Sequence, residues 1–194
     1  MIFSERLHRA FESAFGGFRV KREEKIHHLH GEFRLILREN GLILEERNWV
    51  SNIIVNTASV LIARLLKDNN EPDGGITFLA VGTGAPGWNL QNPPQPTNSQ
   101  TQLNSEIARK AFSTQDVTFV DPETGDPTQI PTNILDFTAT FAETEAVGAL
   151  VEMGLFGGDA TDVINSGTEV NYRTFPVINK TNSMTLTIIF RITT

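Results

Sequence analysis

Met184-Thr185-Leu186-Thr187-Ile188-Ile189-Phe190-Arg191-Ile192 alternates in polarity, and that alternation decides the fold class. Met184, Leu186, Ile188 and Phe190 fall on one side of an extended chain, while Thr185, Thr187, Ile189 and Arg191 fall on the other. Successive side chains of a strand point to opposite faces, so this segment predicts a strand with one face on a core. Upstream, Val170–Phe175, Ala149–Phe156, Ile134–Phe141, Val117–Val120 and Ile76–Val81 are further short apolar runs bounded by turn-rich segments. Many short strands between Gly/Pro turns predict an antiparallel β-sandwich over residues 76–194. Within it, residues 82–102 are rich in Gly, Pro, Asn, Gln and Thr and predict a long loop, and Leu103–Phe112 predicts a helical turn or two.

The first 75 residues read differently. Residues 26–48 predict a β-hairpin: Phe33, Leu35 and Leu37 alternate with Glu32, Arg34 and Arg38, Asn40-Gly41 supplies a two-residue turn, and Leu42, Ile43 and Leu44 begin the return strand. Ser51 is the expected cap of an amphipathic helix over 52–67, with Ile54, Ala58, Leu61 and Leu65 as its stripe. Residues 4–16 predict an N-terminal helix in which Phe3, Leu7, Phe11 and Phe15 recur every fourth residue. A short helix is marginal alone and must bury such a stripe, either on its own domain or on another subunit. The expected organisation is an arm (1–24), a hairpin-plus-helix attachment region (25–75) and a β-sandwich domain (76–194): mainly β, α+β overall.

Charge is unevenly placed. Residues 1–70 hold 11 Lys/Arg against 9 Asp/Glu, whereas residues 71–194 hold 5 against 14 within a formal total of -7. An acidic body without clustered Lys/Arg argues against nucleic acid as a partner. The chain has no cysteine, so disulfides, thiol nucleophiles and thiolate metal sites are excluded. No run approaches the ~20 apolar residues of a membrane span, and the first residues lack a signal-peptide core, so synthesis and retention in a cytoplasm are expected.

The obvious chemical motifs fail on context. Gly82-Thr83-Gly84-Ala85-Pro86-Gly87 fits G-x-G-x-x-G after a strand, but Trp88-Asn89-Leu90-Gln91-Asn92-Pro93-Pro94 cannot open the helix a pyrophosphate needs. Turning the backbone is the simpler role for Gly82 and Gly84. His28, His30 and Glu32 share a face of an extended segment, yet a metal site needs more fixed ligands, and a solvated face fits better. Asp121–Pro127 departs from the calcium-loop pattern and reads as a hairpin tip. No G-x-S-x-G elbow is present. The expectation is therefore no catalytic residue, no metal, no cofactor and no enzymatic activity.

Ordered pieces from Ile76 onward carry a resemblance. They are Phe78-Leu79-Ala80-Val81-Gly82-Thr83-Gly84, then Leu103-Asn104-Ser105-Glu106-Ile107-Ala108-Arg109 as L-x-x-E-x-x-R, and Val151-Glu152-Met153-Gly154-Leu155-Phe156 as E-x-G-L-F. Phe175-Pro176-Val177-Ile178-Asn179-Lys180 follows as F-P-x-I-x-K before the last strand. With Ile54-Val55-Asn56-Thr57, the order resembles tailed-bacteriophage structural proteins of the tail-fibre or baseplate-associated type, over roughly residues 50–194. The resemblance implies a virion component, on the tail rather than the head, that binds copies of itself (a trimer favoured) and other virion proteins. Phe3, Leu7, Phe11, Phe15, Trp88, Glu106 and Arg109 are the expected partner-docking residues, with Glu106 and Arg109 paired on a helical turn. Alternatives are a capsid decoration or neck protein, a module binding host-surface carbohydrate through Trp49, Trp88 or Tyr172, and a depolymerase with paired carboxylates.

Overall fold

The computed structural model describes residues 29–67 and 74–194. The expected N-terminal helix, with Phe3, Leu7, Phe11 and Phe15, lies outside the described residues, as do His27 and His28.

In chain order the elements are β1 (His30–Glu39), β2 (Leu42–Ser51), β3 (Ile53–Ile54), α1 (Asn56–Lys67), β4 (Gly74–Gly82), β5 (Glu106–Ala111) and β6 (Val117–Val120). Then come β7 (Pro127–Thr128), β8 (Ile134–Phe141), β9 (Gly148–Gly158), β10 (Thr168–Lys180) and β11 (Met184–Thr193). They form a six-stranded sheet, β2-β1-β11-β8-β6-β7, and a five-stranded sheet, β3-β10-β9-β4-β5, with every pairing antiparallel. The two sheets share one core. Phe33, Leu35, Phe137, Leu186, Ile188 and Phe190 of the first meet Leu79, Val81, Leu150, Met153, Leu155 and Phe175 of the second. Burial of each such side chain stabilises the fold by roughly 1.5–3 kcal/mol. The alternation of β11 holds: Leu186, Ile188, Phe190 and Ile192 are buried and their neighbours are not.

The hairpin is integral to the sandwich. β1 pairs with β11 from His30 opposite Thr193 to Glu39 opposite Met184, and β3 joins the other sheet through Ile53 opposite Tyr172. Strand pairing therefore crosses residue 76, the expected boundary. Edge strand β2 carries two bulges, and Glu45 and Arg47 sit opposite Leu37 and Leu35 on its core side. Bulges and inward charges both discourage a foreign strand from pairing along an edge.

Three expectations need correction. The helix begins at Asn56, not near Ser51, because β-branched Ile53 and Ile54 pair with β10 first. Leu103–Phe112 is not helical: Glu106–Ala111 forms β5 on the edge of β4. The strand expected over Val170–Phe175 does not stop at Pro176. β10 runs through it: between the pairs Thr174–Glu152 and Ile178–Leu150, three residues of β10 (Phe175, Pro176 and Val177) lie against one of β9 (Val151), and this irregularity spares the proline from ladder bonding.

Candidate functional site

Register places an unusual layer on the outer face of the five-stranded sheet. Arg109, Ala80, Gly154 and Tyr172 form one cross-strand row, and Glu106, Gly82, Glu152 and Thr174 form the next. An outer face bearing Arg109, Glu106 and Glu152 would ordinarily meet water. Here residues 83–105 and 159–167 fold over it, and Glu106, Glu152 and Glu169 are all buried. Apolar Val55, Ala80, Leu103, Phe156 and Tyr172 form a second, smaller core beneath the loops.

Glu152 fastens the longer loop at both ends. Its Oε1 accepts from the Gly84 amide at 3.1 Å and the Ser105 amide at 2.7 Å. Its Oε2 accepts from the Asn104 amide and Asn104 Nδ2, each at 3.1 Å, and from the Tyr172 hydroxyl at 2.6 Å. A carboxyl group with five donors around it satisfies the rule that buried polar groups need partners. Thr174 Oγ1 donates to the Pro94 carbonyl at 2.7 Å, pinning the middle of the loop. Glycines make the approach possible. A Cβ at Gly82 would lie 2.5 Å from the Ser105 carbonyl oxygen, and Gly84 adopts φ +73° with the Trp88 ring 2.5 Å from where its Cβ would be.

Glu106 and Arg109 hold the second loop. In a regular strand, residues three apart face opposite ways. Between Val81/Ala108 and Gly82/Glu106 the register shifts by one residue, so Ile107 is extra and Glu106 and Arg109 come to one face. The pair is bidentate, at 2.6 and 2.8 Å, with side-chain exposures of 0% and 4%. The guanidinium lies 5.4 Å from the centre of the Phe78 ring and 5.1 Å from that of Phe156. Arg109 Nη1 donates to the carbonyl of Thr161 at 2.6 Å and to Ser166 Oγ at 2.8 Å, while the Asn165 amide donates to Glu106 Oε2 at 2.8 Å. This corrects the expected helical turn and the surface pair that went with it. Both side chains face inward, so contact with a neighbour would pass through the loop they hold.

Glu169 completes the layer. Burial first, then the charges of Glu152 and Glu106, push its carboxyl group up to about 9, and neither oxygen bonds within the described residues. The folded chain thus keeps a proton that the unfolded chain releases near pH 4.5. Stability from this group is complete below that pH and is lost as pH rises towards about 9. The slope is at most about 1.4 kcal/mol per pH unit. Urea denaturation at pH 5, 7 and 9 is expected to show wild-type stability falling more steeply than that of Glu169→Gln, and parallel curves would refute the assignment.

The other expected site residues disperse. Trp88 is half-buried against Gly84, within a pocket of about 130 Å³ that also presents Tyr172, Gln95, Gln100 and Asn104. Trp49 lies on the six-stranded sheet, with Arg191 4.3 Å from its ring centre. Glu152 stands in the sequence as the acid of E-x-G-L-F with no role assigned to it, and its signal is a lone acid inside the apolar run Leu150–Phe156. Lys180 of the F-P-x-I-x-K segment donates to the carbonyls of Ala142 at 2.8 Å and Glu143 at 3.1 Å, joining two turns at one end of the sandwich. Among the described residues, no group of three or more His, Asp or Glu side chains is placed to hold a metal ion, and no helix is long and apolar enough to cross a membrane.

Such an arrangement defines a two-sheet β scaffold whose buried polar groups fix its own surface loops in place. The chain belongs to the family described as baseplate wedge 3 tail fiber network component, which matches residues 52–152, just over half of the 194. It is thus a tailed-phage protein of the tail-fibre and baseplate type, and a baseplate component belongs to the virion tail. No curated protein matches the chain.

Proposed function

We propose that this chain is a non-enzymatic structural part of the baseplate and tail-fibre network, acting by docking to neighbouring virion proteins and to copies of itself. The observation that carries the reading is the outer layer of the five-stranded sheet. Glu152, Glu106 and the side chain of Arg109 are buried, and their bonds hold residues 83–105 and 159–167. Rigid loops on a rigid sheet lower the entropy lost when a surface is captured by a partner. A trimer is the assembly expected of a fibre-associated protein.

The β1–β2 turn offers one docking feature. Leu42, Ile43 and Leu44 follow Asn40-Gly41 and are 71%, 53% and 51% exposed. Three consecutive aliphatic side chains facing water at a hairpin tip favour contact with another protein. Replacing all three by serine is expected to leave the melting temperature within a few degrees of wild type, yet to lower incorporation into particles at least tenfold. Normal incorporation, measured by mass spectrometry of purified particles after complementation, would remove the tip from the interface.

A second reading rests on the pocket beside Trp88, where two aromatic rings meet three amide side chains, the usual chemistry of a saccharide subsite. Binding on a glycan array that is abolished by Trp88→Ala would favour host-surface carbohydrate as a partner. Absence of binding leaves assembly alone.

A further inference from the structure

On one side of the sandwich, the edges of the two sheets meet across a seam. β2 is the edge of the six-stranded sheet, and β3 pairs only with Asn171 and Tyr172, so from Arg173 onward β10 is the edge of the five-stranded one. Two arginines reach across this seam. Arg47 of β2 donates from Nη2 to the Pro176 carbonyl at 2.9 Å, and its guanidinium lies 5.4 Å from the centre of the Phe175 ring. Arg173 of β10 pairs with core residue Met153 of β9, so its side chain points inward, and its guanidinium lies 5.9 Å from the centre of the Phe33 ring.

The two differ in charge balance. Arg47 pairs with Glu45 at 2.6 Å, whereas Arg173 has no carboxylate partner among the described residues. Burial lowers the proton affinity of the Arg173 guanidinium, and no neighbouring acid offsets it. Arg47 Nη1 and Arg173 Nε are buried donors without an acceptor, and Asn52 Nδ2, where β2 gives way to β3, is a third. Buried donors ordinarily have partners, so the seam is short of an acceptor. A water molecule would accept from these groups but would leave the charge of Arg173 unbalanced. A carboxylate does both, and a guanidinium is the side chain best shaped to receive one.

The far edge of the six-stranded sheet presents the complementary group. Asp121–Asp126 joins β6 to β7, at the opposite end of the strand order from β2. This turn is tied to itself: the Gly125 amide donates to the Asp121 carbonyl at 2.8 Å, and the Asp121 amide donates to the Asp126 carbonyl at 2.9 Å. Asp121 Oδ1 accepts from the Glu123 amide at 2.8 Å. Glu123 and Asp126 are exposed, and their carboxylates have no partner among the described residues. A cyclic trimer needs two unlike surfaces on every copy, because its contacts are heterologous. We infer that the seam between β2 and β10 receives the acidic β6–β7 turn of a second copy, with Arg173 as the counter-charge for its carboxylates. The inference rests on the self-association proposed above and names the two surfaces that carry it.

Sedimentation velocity on the full chain provides the test. Arg173→Met keeps an apolar contact with Phe33 and removes a cation that no acid balances, so its melting temperature is expected at or above that of wild type. Its self-association is nonetheless expected to be at least tenfold weaker. Glu123→Gln/Asp126→Gln, which alters only exposed side chains, should weaken association by a similar factor. The two sets combined should weaken it little further, since both remove one contact. The chain has no cysteine, so Asn48→Cys/Thr124→Cys places thiols only beside Arg47 and on the turn. A short bis-maleimide is expected to join these between molecules, and at least tenfold less when Arg173→Met is added. An association constant unchanged in either variant would overturn the inference and leave self-association standing. A wild-type chain that stays monomeric at every concentration would overturn both. Stabilisation by inorganic phosphate that requires Arg173, with no effect of the turn variant on association, would also overturn it, by assigning the seam to a free oxyanion.

Discussion

Glu152→Ala is expected to destabilise the protein by about 3–5 kcal/mol, the cost of breaking a buried charged network at one of its members. The carboxyl group accepts from Gly84, Ser105, Asn104 and the Tyr172 hydroxyl, so its loss strands donors from two loop ends and a neighbouring strand together. Each buried donor left without an acceptor costs roughly 1–3 kcal/mol, and relaxation of the loop recovers part of the sum. For a chain of this size, 1 kcal/mol moves the melting temperature by about 2–4 °C, so a fall of roughly 6–20 °C is expected. Glu152→Gln keeps one acceptor oxygen but turns an N–H₂ group towards amides that also donate, and should fall between wild type and alanine. Hydrogen exchange would register the same change locally, through faster exchange at the Gly84 and Ser105 amides. A Glu152→Ala protein within 1 kcal/mol of wild type would show that the loop is held by other contacts.

Arg109→Ala is the second large effect, again about 3–5 kcal/mol, because it leaves the carboxyl group of Glu106 buried without its cation. Arg109→Lys is not a rescue: one ammonium cannot make the bidentate pair, reach Thr161 and Ser166, and pack flat against Phe78 and Phe156 at once. The informative variant is Glu106→Gln/Arg109→Met, which removes both charges and keeps much of the volume. It is expected to be more stable than Arg109→Ala, and a double-mutant cycle through the corresponding single variants should give a coupling above 1 kcal/mol. Additive effects in that cycle would mean that the two residues act separately and that the bulge at Ile107 has no role in joining them.

The chain displays its strands openly because one face of most of them meets a single core. The runs at Val117–Val120 and Ile134–Phe141 correspond to β6 and β8 residue for residue. What periodicity hides is the second layer. β9 is covered on both faces, so Leu150–Phe156 reads as one apolar run, and the acid within it passes for an accident. Glu106 and Arg109 fit helical spacing equally well, since a one-residue bulge brings positions three apart to the same face of a strand. Nothing in residues 103–112 alone announces a bulge, which depends on how β4 pairs beside it. The early helix start fails for a similar reason. Ile53 and Ile54 continue the apolar pattern of α1, and only the open edge of β10 draws them into a sheet. Local pattern thus exposes which residues are buried, while tertiary pairing decides against what.

Whether this body sits where tail fibres meet the baseplate is read most directly by cryo-electron microscopy of the whole particle. The expected map contains the two-sheet sandwich in several symmetry-related copies at that junction, with the Leu42–Leu44 tip against a neighbouring protein. Purified infectious particles whose tail density accommodates no copy, and whose peptides include none from this chain, would contradict the account.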